Sequence, residues 1–315
     1  MHFDVIILGC GAATPTLQHA PTSQAVCWQG KWILLDAGEG VQTNIRKYKV
    51  PMQKIDTICI SHMHGDHVLG LPGLLGSMNL FGRERDLTLV GPASLEPYVR
   101  ESLRLTHTFV RFTMQFIACD TSRPAKIQQW GDNCLESIPV KHRIEAFGFK
   151  LQNVPTKRNL KKESIPALNL QRSEILKLKN GKDVVRATGE RLSAEKLCLP
   201  LPHSSTYVFS GDTAPCENIR VASQGANVLY HESTFLHELK SMARSTGHST
   251  AQDAATLAAE AGVHTLVLGH LSSRYQEESR VEEEGRQFFA NTHLATEGMR
   301  IRLLPKEMPR IDYLE

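Results

Sequence analysis

The sequence contains no apolar stretch long enough to cross a membrane, and its cysteines follow no pairing pattern. A membrane-spanning helix needs roughly 18 consecutive apolar residues, so we expect no membrane anchor. The seven cysteines are scattered, odd in number and never arranged as Cys-x-x-Cys, which argues against a disulfide framework and a thiolate zinc site. The first residues, Met1 to Asp4, carry no Lys or Arg, so we expect no signal peptide. These absences favour a cytoplasmic protein with reduced thiols.

The chain also has little excess charge of either sign, since its formal net charge is only +3. The positive and negative residues are, however, unevenly distributed along the sequence. Between Lys150 and Lys196 there are twelve Lys or Arg against five Asp or Glu, so this segment carries +7 and the remainder is net acidic. A concentrated basic patch suits a phosphate backbone. A solvated charged surface is the commoner explanation of any one such run.

Short β-rich runs bounded by glycine recur in both halves of the 315-residue chain. They predict strands at residues 5–8, 26–28, 32–35, 57–61, 87–90, 110–117, 147–152, 206–210, 228–231 and 265–269. An alanine-rich segment at roughly 250–261 predicts a helix. This order indicates an α/β (α+β) protein of two packed sheets flanked by helices. The stretch at about 156–201 has no apolar periodicity long enough for its own core, so we expect a single domain, 1–315, with an arm-like insertion there.

The densest group of metal-ligand side chains is Ser61-His62-Met63-His64-Gly65-Asp66-His67, which follows an apolar strand. In an extended chain His62 and His64 point the same way, and Gly65 permits a turn that brings Asp66 and His67 to the same centre. Surface histidines at a strand end would explain any one of these residues. They do not explain four ligand-type side chains within six residues after a buried strand.

Two metal sites need more ligands than this segment supplies, since each zinc takes three or more protein ligands and keeps a position open for water. Three further candidates each follow an apolar strand: His142, Asp212 and His270. Strand ends gather at one edge of a sheet. On its own, a histidine such as His142 would more often be structural. It is a candidate ligand because Asp212 and His270 also follow apolar strands. Nitrogen and carboxylate ligands without thiolate favour Zn²⁺, with Mn²⁺ or Fe²⁺ as alternatives.

These segments resemble the signature of the metallo-β-lactamase superfamily, and the sequence between them resembles the tRNase Z (ribonuclease Z) family. The matching segments cover most of the chain and are Leu8-Gly9-Cys10-Gly11-Ala12, Leu35-Asp36-Ala37-Gly38-Glu39-Gly40-Val41-Gln42, Gly70-Leu71-Pro72-Gly73-Leu74-Leu75, His231-Glu232-Ser233-Thr234-Phe235, Gly247-His248-Ser249-Thr250-Ala251 and His270-Leu271-Ser272-Ser273-Arg274-Tyr275. The resemblance implies a four-layer αββα sandwich and an endoribonuclease that removes the 3′ trailer from precursor tRNA.

The resemblance also implies the metal ligands. It places His62, His64 and His142 on one zinc and Asp66, His67 and His270 on the other, with Asp212 bridging the two. Two metals held a few ångströms apart lower the pKa of a bridging water and neutralise charge on the attacking and leaving oxygens. The expected reaction is attack of a metal-bridging hydroxide on the phosphodiester, which leaves a 3′-hydroxyl on the tRNA.

Two residues are candidates for proton transfer, and a third is a candidate for holding one of them in place. Asp66 can orient or deprotonate the nucleophile. His248 precedes Ser249-Thr250-Ala251-Gln252, which is typical of a capping box, so its imidazole should lie near the positive end of a helix dipole. In the family, the corresponding histidine is thought to protonate the departing 3′ oxygen, and the glutamate that matches Glu232 holds it in place. The alternative is a histidine at a helix entry and a surface carboxylate.

The basic segment occupies the interval in which tRNase Z proteins carry an arm that grips the tRNA body. The residues predicted to bind RNA are Lys157, Arg158, Lys161, Lys162, Lys177, Lys179 and Lys182. The family's glycine-proline-rich arm tip is absent. The residues Pro15-Thr16-Leu17-Gln18-His19-Ala20 stand where many members have Pro-x-Lys-x-Arg-Asn, a loop implicated in sensing the CCA end, so we carry over no rejection of CCA-ending tRNA. Glu297 stands where relatives usually have aspartate. Family membership implies a homodimer.

Two other classes of function compete with this interpretation. Fold does not fix substrate, so the chain could be a β-lactamase, thioesterase, sulfatase or general phosphodiesterase on the same scaffold. The segment around His248 and the basic stretch argue against these activities. A nucleic-acid-binding protein with a vestigial metal site is the second rival. Retention of all seven ligands together with both proton-transfer candidates argues against it.

Overall fold

The computed structural model describes residues 3–201, 204–303 and 308–314, so Met1 and His2, used above to argue against a signal peptide, lie outside the described residues. The strands in these ranges are β1 (Phe3–Gly9), β2 (Ser23–Trp28), β3 (Lys31–Leu35), β4 (Ile55–Cys59), β5 (Leu87–Gly91), β6 (Met114–Ala118), β7 (Ala125–Trp130), β8 (Asn133–Pro139), β9 (Phe147–Asn153), β10 (Val184–Val185), β11 (Arg191–Leu192), β12 (Ser205–Phe209), β13 (Val228–Glu232), β14 (Thr265–Gly269), β15 (Thr292–Leu294), β16 (Met299–Arg302) and β17 (Arg310–Tyr313).

The helices connect these strands and cover the sheets. They are α1 (Val41–Lys47), α2 (Gly65–Val68), α3 (Leu71–Leu80), α4 (Leu95–Leu105), α5 (Ser164–Ala167), α6 (Arg172–Lys179), α7 (Ala194–Leu197), α8 (Glu217–Ala222), α9 (Lys240–Thr246), α10 (Ala251–Ala261) and α11 (Ser279–Phe288), with 3₁₀ turns at Met52–Lys54 and His237–Leu239. Across the described part of the chain, none of them combines the length and the apolar character that a membrane crossing requires.

The strands form two large sheets. One has the order β17-β16-β1-β2-β3-β4-β5-β6, and the other has the order β15-β14-β13-β12-β9-β8-β7. Alternate residues of β1 show how the layers pack, because Val5 and Ile7 belong to the core between the sheets. Ile6 and Leu8 face the other way and pack with residues of α1, α3 and α4. Period-two alternation with both faces apolar is what a strand covered on both sides requires. The predicted sandwich of two sheets flanked by helices is therefore confirmed.

Parallel pairing decides where the site lies. β3, β4 and β5 are parallel neighbours in the first sheet, and β12, β13 and β14 are parallel neighbours in the second. Their carboxyl ends therefore lie on one side of each sheet. In α/β sheets, ligands bind in the crevice beyond the carboxyl ends of the strands.

Several predicted details were wrong. The strand predicted at 110–117 begins only at Met114, because residues 106–113 form a turn and loop after α4. The hairpin of β7 and β8 was not predicted, since β7 contains exposed Lys126 and Gln129 and no fully buried side chain that would mark its alternation. The N-cap of α10 is Thr250 rather than Ser249, and the capping box pairs Thr250 with Asp253 instead of Gln252.

The segment 156–201 also differs from expectation, because it does have a small core. Seven of its residues form a buried cluster: Leu160, Leu170, Leu178, Val184, Leu192, Ala194 and Cys198. Very short helices and a two-stranded ribbon supply one or two apolar side chains each, which is why no long periodicity marks them in the sequence. The segment leaves the sheet after β9 and returns into β12, and these strands are antiparallel neighbours with Asn153 opposite Ser205.

Candidate metal centre and active site

The seven predicted ligands all lie at the carboxyl ends of strands or just beyond them. His62 and His64 follow β4, and α2 begins at Gly65, which turns Asp66 and His67 inward. The other three ligands follow β8, β12 and β14 in the second sheet. The chain therefore folds so that two sheets contribute to one cleft, as the sequence predicted for strand ends.

Three histidines form the first cluster of ligand atoms together with Asp212. His62 Nε2 lies 2.9 Å from His64 Nδ1, and His142 Nε2 lies 3.2 Å from the same atom. Asp212 Oδ2 is 3.6 Å from His62 Nε2. One ligand atom from each of the four residues fits within a sphere suited to a single metal ion.

The second cluster is formed by Asp66, His67 and His270. His67 Nε2 lies 3.3 Å from His270 Nε2 and 3.4 Å from Asp66 Oδ2. The Oδ2 atom of Asp212 is 3.4 Å from His67 Nε2 and 3.2 Å from His270 Nε2. The same carboxylate oxygen therefore faces both clusters, which is the geometry of a bridging ligand.

The outward ring nitrogens have partners that fix the tautomers of the cluster histidines. His67 Nδ1–H donates to Asp36 Oδ2 at 2.8 Å, and His142 Nδ1–H donates to the carbonyl oxygen of Gly247 at 2.8 Å. His270 Nδ1–H donates to the hydroxyl of Thr234 at 2.8 Å. With the proton on the outer nitrogen, the inner Nε2 presents a lone pair to the cluster, as metal-ligating imidazoles do.

The donor set fits divalent metal ions for a second reason. Burial lowers the pKa of His62, His64 and His142, and the neighbouring imidazoles lower it further, so these rings are neutral and able to bind metal. For His67, burial is outweighed by the charges of Asp212 and Asp36, which raise its pKa. A proton on His67 Nε2 would occupy the place that a metal ion can take, since both respond to the same carboxylates.

Glu232 holds His248 beside this centre. Glu232 lies at the end of β13, is buried, and its Oε1 accepts a hydrogen bond from His248 Nδ1–H at 2.8 Å. Burial lowers the pKa of His248, but the charge and the hydrogen bond of Glu232 outweigh this effect and raise it to about 9. The His248 ring lies 5.0 Å from that of His142 and 5.5 Å from that of His270. A protonated imidazole therefore borders both clusters.

Several residues that support the site were not assigned a role from the sequence. Asp36 is fully buried and accepts hydrogen bonds from Ser61 N–H and Ser61 Oγ–H besides that of His67. Thr234 donates its hydroxyl proton to Glu232 Oε2 at 2.8 Å. The N–H of Ala13 donates to Asp66 Oδ2 at 2.8 Å. Asp36 and Thr234 lie within segments that resemble the family, whereas nothing in the sequence marks Ala13.

The predicted RNA-binding residues lie on the insertion, away from these clusters. Lys157, Lys162, Lys177 and Lys182 are exposed, and the other three are partly exposed. Within the described residues, none of the seven forms an ion pair, whereas Arg186 pairs with Glu174 and Glu190, and Arg191 pairs with Asp183. The seven positive charges therefore lack a close carboxylate partner, although Lys177 still interacts electrostatically with Glu174.

The fold and the two clusters define a metallo-β-lactamase-fold protein with a site for divalent metal. Two solved structures share this fold. Human short-form tRNase Z has a TM-score of 0.69 and 24% identity, and the match covers 98% of this chain and 100% of that one. The metallo-β-lactamase fold protein YhfI from Bacillus subtilis has a TM-score of 0.68 and 18% identity, and the match covers 96% of this chain and 100% of that one. A family model described as anti-Pycsar protein Apyc1 matches residues 3–158.

The sequence comparison is more specific than the fold. Ribonuclease Z of Parabacteroides distasonis is 34% identical over 299 residues, which cover 95% of this chain and 98% of that protein. The chain belongs to the ribonuclease Z family. The family predicted from the sequence is thereby confirmed.

Proposed function

We propose that this protein is a metal-dependent endoribonuclease that removes the 3′ trailer from precursor tRNA. The observation that carries the proposal is the placement of His248, held by Glu232, beside two ligand clusters that share one oxygen of Asp212. Membership of the ribonuclease Z family supports tRNA as the substrate over the other hydrolase reactions of this fold. A cationic acid beside a metal site suits cleavage of an anionic ester with a poor leaving group.

We propose two zinc ions per subunit. His62, His64 and His142 would hold one ion, Asp66, His67 and His270 would hold the other, and Asp212 would contact both. The imidazole and carboxylate donors suit zinc, and no thiolate is among them. When bound, two such ions activate water and neutralise charge on the phosphodiester.

The chain's own residues position the reactants and move the protons. Asp66 Oδ2 is held by the Ala13 N–H, and this carboxylate accepts a hydrogen bond from the attacking water. His248 has its Nδ1 engaged by Glu232, so its Nε2–H is the donor that reaches the departing 3′ oxygen. Transfer of that proton gives the 3′-hydroxyl on the tRNA.

The insertion at 156–201 is proposed as an RNA-binding arm of the single domain 1–315. The predicted RNA-binding residues, none of which forms an ion pair within the described part of the chain, support contact with phosphates, which steer and position RNA without reading sequence. The arm would hold the tRNA body while its 3′ end enters the cleft.

We also propose a homodimer in a reducing, cytoplasmic compartment. Exposed apolar side chains at the ends of α3 and α4 support an interface: Leu80, Phe81, Leu105 and Phe109 are 84%, 57%, 61% and 82% exposed. Arg111 N–H donates to Asn79 Oδ1, which ties the loop after α4 to the end of α3. Analytical ultracentrifugation should give roughly twice the 35.1 kDa chain mass. All seven cysteines are free thiols, which supports the reducing compartment.

The decisive experiment uses an end-labelled precursor tRNA with a short 3′ trailer, the zinc-loaded protein and its His248→Ala variant. A single metal-dependent cut beside the discriminator base, lost in the variant, supports the proposal. His264→Ala is the matched control, because His264 is exposed and lies outside the cleft. If the tRNA stays intact while bis-p-nitrophenyl phosphate is hydrolysed, the metal site stands and the tRNA substrate is wrong.

A further inference from the structure

A second charged cluster lies beside the cleft, built around His19 in the loop of residues 12–20 that joins β1 to β2. His19 Nδ1 lies 2.8 Å from Glu297 Oε2, and His19 Nε2 lies 2.7 Å from Glu278 Oε1. The His19 and Glu297 side chains are each 12% exposed, and Glu278 is 28% exposed. Since a carboxylate faces each ring nitrogen, both nitrogens carry a proton and the ring is an imidazolium.

This cluster is an ion pair rather than a third metal site. Cys10 Sγ lies 3.4 Å from His19 Nδ1, so a thiol, an imidazole and a carboxylate do meet here. A metal would need a deprotonated thiol and a ring nitrogen without a proton. Burial instead raises the pKa of the Cys10 thiol well above its usual range, and its S–H is directed at the carbonyl oxygen of Ala295.

The loop that His19 anchors reaches the metal centre. Residues 13–18 are exposed, and the loop base is tied down by Ala20 N–H, which donates to Glu297 Oε1 at 2.9 Å. At the other end, Ala13 N–H donates to Asp66 Oδ2. Ala13 has a φ of 64°, a left-handed conformation that alanine rarely adopts, so surrounding contacts must hold it. Glu297 and Glu278 come from outside the loop and can provide that constraint.

We propose that His19 is a positioning residue: clamped between Glu278 and Glu297, it fixes the loop 12–20 so that the Ala13 amide stays directed at the catalytic carboxylate of Asp66. The inference rests on the proposed function in so far as it assigns Asp66 to the reaction. It identifies two glutamates and a histidine as the anchor of this loop.

The charge state of His19 supports the clamp. The hydrogen bond to Glu297 raises the pKa of His19 to about 9, against the opposing effect of burial, and Glu278 adds to the increase. The ionisable groups close to His19 are Cys10 after β1, Glu278 before α11 and Glu297 before β16. Glu39, Lys47 and Tyr48, at the two ends of α1, line a cavity together with residues 15–20 of the loop. The clamp is complete below the ordinary histidine pKa and is lost as the pH rises through about 9.

The test compares the zinc-loaded protein with His19→Gln, and uses Gln18→Ala as the matched control, because Gln18 is the exposed neighbour outside the clamp. Hydrogen exchange at pH 7, without substrate, should accelerate about tenfold at the amides of Ala13 and Ala20 in His19→Gln only. The kcat for bis-p-nitrophenyl phosphate should fall about tenfold with KM within about twofold, as expected for loss of a hydrogen bond to a charged group.

A double-mutant cycle separates a clamp from general damage. Glu297→Gln should show the same kind of exchange and kcat effects as His19→Gln, and the double variant should be no worse than His19→Gln, because the contact between His19 and Glu297 is already lost in each single variant. Additive losses would overturn the proposal, as would unchanged exchange at Ala13 in a folded, metal-loaded His19→Gln. Because hydrogen exchange is measured without RNA, its result can be interpreted even if the protein does not cleave tRNA.

Discussion

Replacing Glu232 by Gln removes one negative charge from the interior of the site, together with the acceptor of Thr213 N–H, which shares Oε1 with His248. Glu232 is 1% exposed and accepts hydrogen bonds from Thr213 N–H, Thr234 N–H, Thr234 Oγ–H and His248 Nδ1–H. A glutamine can still accept from Thr234 with its amide oxygen. Its NH₂ group then faces His248 Nδ1 and favours the neutral ring, which can accept there.

The size of the effect follows from the pKa of His248. Its increase from 6.5 to about 9 corresponds to about 3 kcal/mol of preference for the imidazolium. Without the charge of Glu232, the largest cause that raises the pKa, we expect a value near or below 6.5. At pH 8 the protonated fraction then drops about thirtyfold, whereas at pH 6 it changes by less than about twofold. The rate should follow that fraction if His248 is the general acid.

The assay is single-turnover cleavage of precursor tRNA from pH 6 to pH 9, with zinc content and the melting temperature measured on the same samples. Wild-type activity should be lost only as the pH rises through about 9, because the acid form exists below that value. Glu238→Gln is the control, since Glu238 is exposed and pairs only loosely with Arg280 at 3.5 Å. A Glu232→Gln deficit of equal size at pH 6 and pH 8 would refute the reasoning.

Three further predictions test other parts of the molecule. Asp36→Asn should weaken zinc binding about 10–100-fold, because the buried Asp36 carboxylate orients His67; competition with a fluorescent chelator measures this, and unchanged affinity would contradict it. Replacing Lys177, Lys179 and Lys182 together by Glu should raise KM for precursor tRNA at least about tenfold yet leave bis-p-nitrophenyl phosphate hydrolysis unaffected; equal losses on both substrates would argue against an arm. Gly269→Ala should lower the free energy of unfolding by about 2 kcal/mol in urea titrations, because its Cβ would lie 1.8 Å from the Tyr230 hydroxyl.

Much of the fold was predictable because most strands are buried on both faces. β14 was predicted with its observed bounds, and the prediction for β1 was short by two residues at its start and one at its end. Continuous apolar runs between glycines leave few alternatives to a buried strand. Partly exposed β7 and the insertion gave no such signal, because each of their short elements buries few apolar side chains.

The sequence predicted the site residues whose function requires a particular side chain. It did not predict a residue that contributes only its backbone. All seven predicted ligands and the pair of Glu232 and His248 do meet in space, although their roles remain predictions. Ala13 contributes a backbone N–H, which every residue except proline possesses. Only the positions of the loop and of Asp66 give that amide a role, so the sequence could not indicate it.

Among the described residues, His19, His67 and His248 each have a carboxylate oxygen 2.8 Å from Nδ1, and the partner of the other ring nitrogen decides what each pair can do. His67 donates from Nδ1 to Asp36, and its Nε2 faces Asp66, Asp212 and His270, so a metal ion can replace the inner proton. His248 donates to Glu232, and its Nε2 has no partner among the described residues, which leaves that proton for a leaving group.

The third histidine, His19, has a second carboxylate at Nε2, so giving up either proton to a metal or a substrate would break a contact with Glu278 or Glu297. Its imidazolium can therefore serve only to hold structure. In principle, replacing the carboxylate partner of one of these histidines would change the role of that histidine. Glu278→Gln should accordingly loosen the loop and leave the metal content unchanged, whereas Asp36→Asn should change the metal content first.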